Sequence, residues 1–263
     1  MTLKNTLKIL LNDTLNKKIM SFGLSWRVVA LFLLTPALTN ANPYVVLDTG
    51  HMPSRPGAMG ATGQVEYQYN LNMSTAVAHQ LEQTGVRVLR IAADGNDIEL
   101  KDRSTQAPDA DVFVSIHHDS MPQEWIDEGR NKTLSGFSIF VSKKNPQFDK
   151  SLACAQNIGA QLLSIKETPS LYHASEKAGQ SRPFLDEQLG VHQFDDLVVL
   201  KTAPIPAVLV EIGVIVNPSE AVRLSHKRTI KTISHAIAQG IQTCIQNANN
   251  PQTASLNTQS SPH

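Results

Sequence analysis

The chain has 263 residues, 23 Lys+Arg against 23 Asp+Glu, and 41% hydrophobic residues. That is a globular composition, which excludes a disordered, collagenous or coiled-coil chain. With zero net charge and no basic stripe, there is no electrostatic footprint for nucleic acid, and no nucleic-acid partner is expected.

At the N-terminal end, Lys17, Lys18 and Arg27 precede the apolar run VVALFLL at 28–34, and small residues follow, with Thr39 and Ala41 at minus three and minus one. This is the order of a secretory signal peptide over residues 1–41, with Met20 as an alternative start. The run is too short for a permanent span. The mature chain is therefore expected in the periplasm or secreted, without a stable membrane span. Residues 42–246 read as one domain, because no linker rich in Gly, Pro or Ser divides them. Residues 247–263, mostly Asn, Gln, Ser, Thr and Pro, read as a disordered tail.

Within the domain, YVVL at 44–47, VRVLRI at 86–91, VFVSI at 112–116, FSIFV at 137–141, LVVL at 197–200 and AVLVEI at 207–212 predict strands of a mostly buried sheet. Between the first two, Leu71, Val77, Ala78 and Leu81 predict one face of a helix over 66–83, which Gly85 stops. Further helices are expected over about 149–164 and 226–245. The order predicts an α/β domain with a mostly parallel, twisted sheet flanked by helices. Cys154 and Cys244 both fall in helical segments and fit either one disulfide or two buried thiols.

In such sheets function collects at the carboxyl ends of the strands. There the first strand runs into DTGHM at 48–52, the third into His117, His118 and Asp119, and the last into Glu211, while Glu66 opens the first helix after a Gly-rich loop. Two neutral imidazoles and one carboxylate with an open fourth position suit catalytic zinc, which polarises a carbonyl and acidifies its water. A further carboxylate is then needed as proton acceptor. Spacing alone does not choose between His117 and His118, or among Asp48, Asp119 and Glu211. Gly57, Gly60 and Gly63 lack phosphate-loop order and read as a flexible loop beside the metal.

The strings VVLDTGHMPSRPGAMGATGQVE, LKDRSTQAPDADVFVSIHHDS and PAVLVEIGVIVNPSEAVRL resemble the zinc-dependent N-acetylmuramoyl-L-alanine amidases of bacterial cell walls, over residues 44 to about 245. The resemblance implies one zinc per chain held by His51, Glu66 and His117, with Glu211 as the catalytic glutamate. It implies peptidoglycan or its muropeptide fragments as substrate and leaves room for an activator protein. His118 stands where the family carries a small residue and is placed behind the ligands or facing substrate, or else takes the place of His117 as ligand. Asp119 stands where asparagine is common, Tyr67 where lysine often follows the ligand glutamate, and the loop after His51 lacks the usual Gly-Gly. Arg103 resembles a recurrent family arginine, or is a solvated or helix-capping one. Asp48 is expected to orient the His51 ring or to cap the strand-end turn, and His173, on a long loop, to contact substrate.

Two other classes fit the same residues. One is a zinc peptidase or other amide hydrolase on this scaffold, and the other is an inactive cell-wall-binding protein. The stretch 120–136 is short for an inhibitory helix, so an accessible site is expected.

Overall fold

A computed structural model describes residues 42–175 and 182–249. The expected leader, the segment 176–181 and the tail beyond 249 lie outside the described residues.

The strands β1 (Tyr44–Thr49), β2 (Arg87–Ile91), β3 (Val112–Asp119), β4 (Ser138–Val141), β5 (Phe184–Asp186), β6 (Val191–Gln193) and β7 (Ala207–Val214) form one sheet in the order β2-β1-β3-β7-β4-β6-β5. Pairing is parallel from β2 through β1 and β3 to β7, and again between β4 and β6. It is antiparallel where β4 meets β7 and where β5 meets β6. The α/β fold with a mostly parallel sheet is as expected, and β5 and β6, at three residues each, are additions.

The helices are α1 (Glu66–Glu82), α2 (Leu100–Arg103), α3 (Gln123–Asp127), α4 (Phe148–Ser164), α5 (Val198–Lys201), α6 (Pro218–Ser225) and α7 (Lys227–Asn249). Because strand side chains alternate, β1 sends Val45 and Leu47 into a core with Met73, Val77 and Leu81 of α1, Ile158 of α4 and Ile237 of α7. Val46 points the other way, into a core with Phe113, Phe140, Leu200 and Leu209. On α1 the buried row is Tyr69, Met73, Val77 and Leu81, spaced four residues apart as one helical face requires. The expected face residue Leu71 is only half-buried.

LVVL at 197–200 is not a strand. Val198–Lys201 makes one helical turn that buries Val199 and Leu200 in the second core. A four-residue apolar run carries no period long enough to separate the two conformations. The last helix runs to Asn249, so residues 247–249, expected in the tail, continue it. Cys154 on α4 and Cys244 on α7 are disulfide-bonded, with Cα atoms 4.8 Å apart. No helix among the described residues is long and apolar enough to cross a membrane.

Candidate active site

The carboxyl ends of β1, β3 and β7 and the first turn of α1 converge on one point. His51, Glu66 and His117 bring their donor atoms within 4.8 Å of one another. Glu66 Oε2 lies 2.9 Å from His51 Nε2, and its Oε1 lies 3.1 Å from His117 Nδ1. The Glu66 side chain is 6% exposed and the two rings 32% and 17%, so the cluster has a buried floor and an open side. Burial pushes the Glu66 carboxyl upward, but the hydrogen bonds and charges of His117 and His51 outweigh it and hold it well below the usual carboxylate range. Two imidazoles and a carboxylate converging in this way could hold a metal ion and suit an open zinc site.

Close approach explains two glycines. A Cβ on Gly50 would stand 2.4 Å from His117 Nε2, and one on Gly57 would stand 2.5 Å from Glu66 Oε2. Gly57 also has φ +79°, a conformation that L side chains rarely adopt. The loop expected to be flexible is therefore packed against the ligands at this point. His51 itself has φ +67°, which is strained for a residue with a Cβ.

Arg103 holds that strained backbone in place. It is 1% exposed, and its Nη2 donates to His51 O at 2.6 Å while Nη1 donates to Thr49 O and Asp48 Oδ1, both at 2.9 Å. Its Nε donates to Ile98 O at 3.1 Å. Neither a solvated nor a helix-capping role fits a fully enclosed guanidinium. Asp48 neither orients the His51 ring nor caps the turn: its two oxygens accept from Arg103 and from Ser115 Oγ. The charge it supplies compensates the arginine that braces the His51 backbone.

His118 is not substrate-facing. Strand alternation turns it to the opposite side from His117, where it is 1% exposed below Tyr69. Asn70, one turn after Glu66, donates through Nδ2 to Glu66 Oε1 (3.2 Å) and Gly50 O (3.1 Å). Its Oδ1 therefore accepts from His118 Nδ1–H at 2.8 Å. Burial pushes His118 down to about 3, so it is a neutral ring supporting Glu66 from behind through Asn70. Tyr67 donates its hydroxyl to Ala92 O and packs inside.

Glu211 is paired with His117 across the parallel β3–β7 ladder. It is half-buried, and its Oε2 has no hydrogen-bond partner among the described residues. Burial, then the charges of Asp119 and Glu66, push its carboxyl well above the usual range, while Arg182 pulls the other way. An unpaired carboxyl beside the metal donors is available for proton transfer.

Asp119 accepts from the hydroxyl of Tyr172 and lies 2.6 Å from Nε2 of His173. Both nitrogens of His173 are engaged, since its Nδ1 lies 2.7 Å from Arg182 Nη1. The structure thus brings His173 to the pocket, though not as a free imidazole. A cavity of about 640 Å³ extends from His51, His117 and Glu211 past Asp119, His173 and Arg182 to Phe140, Phe194 and Leu197. Ser120, Met121 and Pro122, from the stretch considered for an inhibitory helix, line its rim. No fourth His, Cys, Asp or Glu joins the triad among the described residues. Sequence reasoning missed Asn70, Tyr172 and Arg182. Only Asn70 carried a signal, its one-turn spacing from Glu66.

Residues 45–243 match the model of one protein family, N-acetylmuramoyl-L-alanine amidase. The chain belongs to that family. The amidase is 27% identical over 226 residues to the uncharacterized protein YqiI of Bacillus subtilis, covering 82% of this chain and 95% of YqiI. It is 27% identical over 220 residues to the N-acetylmuramoyl-L-alanine amidase AmiC of Neisseria meningitidis, covering 76% of this chain and 52% of AmiC. Among solved structures it superposes on the amidase AmiC2 of Nostoc punctiforme with a TM-score of 0.61 and 25% identity, over 78% of this chain and 98% of that one. The amidase is accordingly an enzyme by family, and its metal-capable cluster lies inside the matched region.

Proposed function

We propose that this amidase is an exported, zinc-dependent enzyme that hydrolyses the amide between N-acetylmuramic acid and L-alanine in peptidoglycan. The observation that carries the reading is the His51–Glu66–His117 cluster with the unpaired carboxyl of Glu211 opposite His117 in the β3–β7 ladder. The leader-like segment and the Cys154–Cys244 disulfide support export to an oxidising compartment.

His51, Glu66 and His117 would hold zinc, which supplies Lewis acidity toward a carbonyl oxygen and toward water. Glu211 accepts a proton at its carboxylate from the attacking water and returns it to the departing L-alanine nitrogen. Its burial suits that task, because a raised carboxyl binds the proton more readily than an exposed one would. The open side of the cavity admits a polymer strand, and Arg103, Asp48, Asn70 and His118 keep the ligands in place during the cycle.

The test compares the mature chain with Glu211→Gln on purified sacculi, together with zinc content. Release of stem peptides bearing a free L-Ala amine is expected to fall by about 10²–10⁴-fold in the variant, with zinc retained. Cleavage within the stem peptide would instead favour a peptidase on the same scaffold. Zinc binding without release, with no other protein added, would point to a required activator, and release undiminished in Glu211→Gln would remove Glu211 from the mechanism.

A further inference from the structure

The cavity contains a cation that neither belongs to the metal-capable cluster nor carries the proton. Arg182 lines it, and none of the ion pairs among the described residues includes Arg182. Its backbone is fixed on both sides: its N–H donates to His173 O at 2.9 Å, and its carbonyl accepts from His192 Nδ1 at 2.9 Å. Its guanidinium carbon stands 4.1 Å from the Phe194 ring centroid and 5.5 Å from that of Phe140.

The hydrogen bonds fix the group further. A guanidinium only donates, so Nη1 donates to His173 Nδ1, and His173 must carry its proton on Nε2 and donate it to Asp119. Asp119 is held in turn by the Tyr172 hydroxyl and the Ser120 amide. Asp119 lies two residues after His117 on β3, so this relay sets the position of Arg182 relative to the metal cluster. Nη2 has no protein acceptor among the described residues. Aromatic stacking and one neutral imidazole orient the fork without neutralising it.

We propose that Arg182 is a specificity residue that pairs with a carboxylate on the stem peptide, the free α-carboxylate of the acidic residue that follows L-alanine. This rests on the amidase reading above. With the scissile amide between the zinc ligands and Glu211, the leaving peptide extends from that point into the same cavity. A planar fork matches a carboxylate geometrically and by charge. The corresponding primary amide has no charge and a single acceptor oxygen, so peptides amidated at that carboxyl bind less tightly.

The test measures binding rather than turnover. Two tripeptides, L-Ala-γ-D-Glu-L-Lys and its analogue with the α-carboxylate of D-Glu amidated, both with an amidated C-terminus, are titrated calorimetrically into the full mature chain. The wild type is expected to favour the carboxylate form by about tenfold, the scale of one charge-assisted hydrogen bond. Arg182→Gln is expected to reduce the preference to within about twofold, and Arg182→Lys, which keeps the charge without the fork, to retain part of it. Thermal melts of each variant show whether the fold is intact. Equal affinity for the two peptides in the wild type, an unchanged preference in folded Arg182→Gln, or no binding of either peptide at millimolar concentration would overturn the proposal. A chain that discriminates between the tripeptides but releases nothing from sacculi keeps this proposal and loses the amidase reaction. One that releases stem peptides without discriminating does the reverse.

Discussion

Arg103→Met tests whether His51, the first of the proposed zinc ligands, is held from behind. The substitution conserves most of the side-chain volume but removes four donated hydrogen bonds, to Asp48, Thr49, His51 and Ile98. It leaves the Asp48 carboxylate enclosed with Ser115 as its remaining side-chain partner among the described residues, both residues of the original pair having been 1% exposed. Breaking a buried pair on one side costs about 3–5 kcal/mol. A domain has about 5–15 kcal/mol in total. We expect metal-free urea unfolding at pH 7 to show a loss in that range. Freed from Nη2, the left-handed backbone of His51 has less to hold it, and zinc affinity measured by competition with a chelating dye should fall about 10–100-fold. The double variant Asp48→Leu/Arg103→Met removes both charges and should be more stable than Arg103→Met alone. A loss under about 1 kcal/mol in the single variant, or a double variant less stable than it, would refute the reasoning.

Asn70→Leu should weaken zinc binding by a similar 10–100-fold with a smaller effect on folding, since it leaves Glu66 Oε1 without its rear donor; unchanged zinc affinity would show that the glutamate needs no such support. Removing the disulfide with Cys154→Ser/Cys244→Ser opens a loop with a sequence separation of 90 residues and should cost about 4–5 kcal/mol by the chain-entropy relation, read from chemical denaturation. His192 is fully buried, and burial holds it below its ordinary value, so the unfolded chain takes up the proton first as the solution is acidified. Its contribution to metal-free stability is then present above about pH 6.5 and lost below it, by at most about 1.4 kcal/mol per pH unit. His192→Leu should flatten that slope, as measured by urea unfolding at pH 7 and 5.5.

The parts of the fold that could be read in advance were those whose period repeats. β1, β3 and β7 are dense in Val and Ile and buried on both faces, and α1, α4 and α7 are long enough to show a helical face. Residues 197–200, β5 and β6 are too short to show any period, and their conformation is decided by what they pack against. The site divides in the same way. His51 follows β1 by two residues, Glu66 opens α1, and His117 and Glu211 lie in the carboxyl-terminal halves of β3 and β7, positions that the strand and helix patterns locate. Strand alternation puts the rings of 117 and 118 on opposite sides of β3, but which of them meets Glu66 is decided by how α1 packs on the sheet. Arg182 could not be read, because the partners that define it, His173 on one side and His192 and Phe194 on the other, belong to two short segments with no shared period.

The pairing of His117 with Glu211 in the β3–β7 ladder has a consequence for how such an enzyme can change over time. Strand rows advance in steps of about 3.3 Å, and a one-residue slip reverses every side chain. The backbone spacing between the proposed ligand and the proposed base is therefore set in whole strand steps. Variation in the loops that carry no donor can alter which polymer enters and how it is gripped while the His117–Glu211 row stays where the ladder sets it. Divergence in substrate choice can then proceed without passing through forms whose chemistry is impaired.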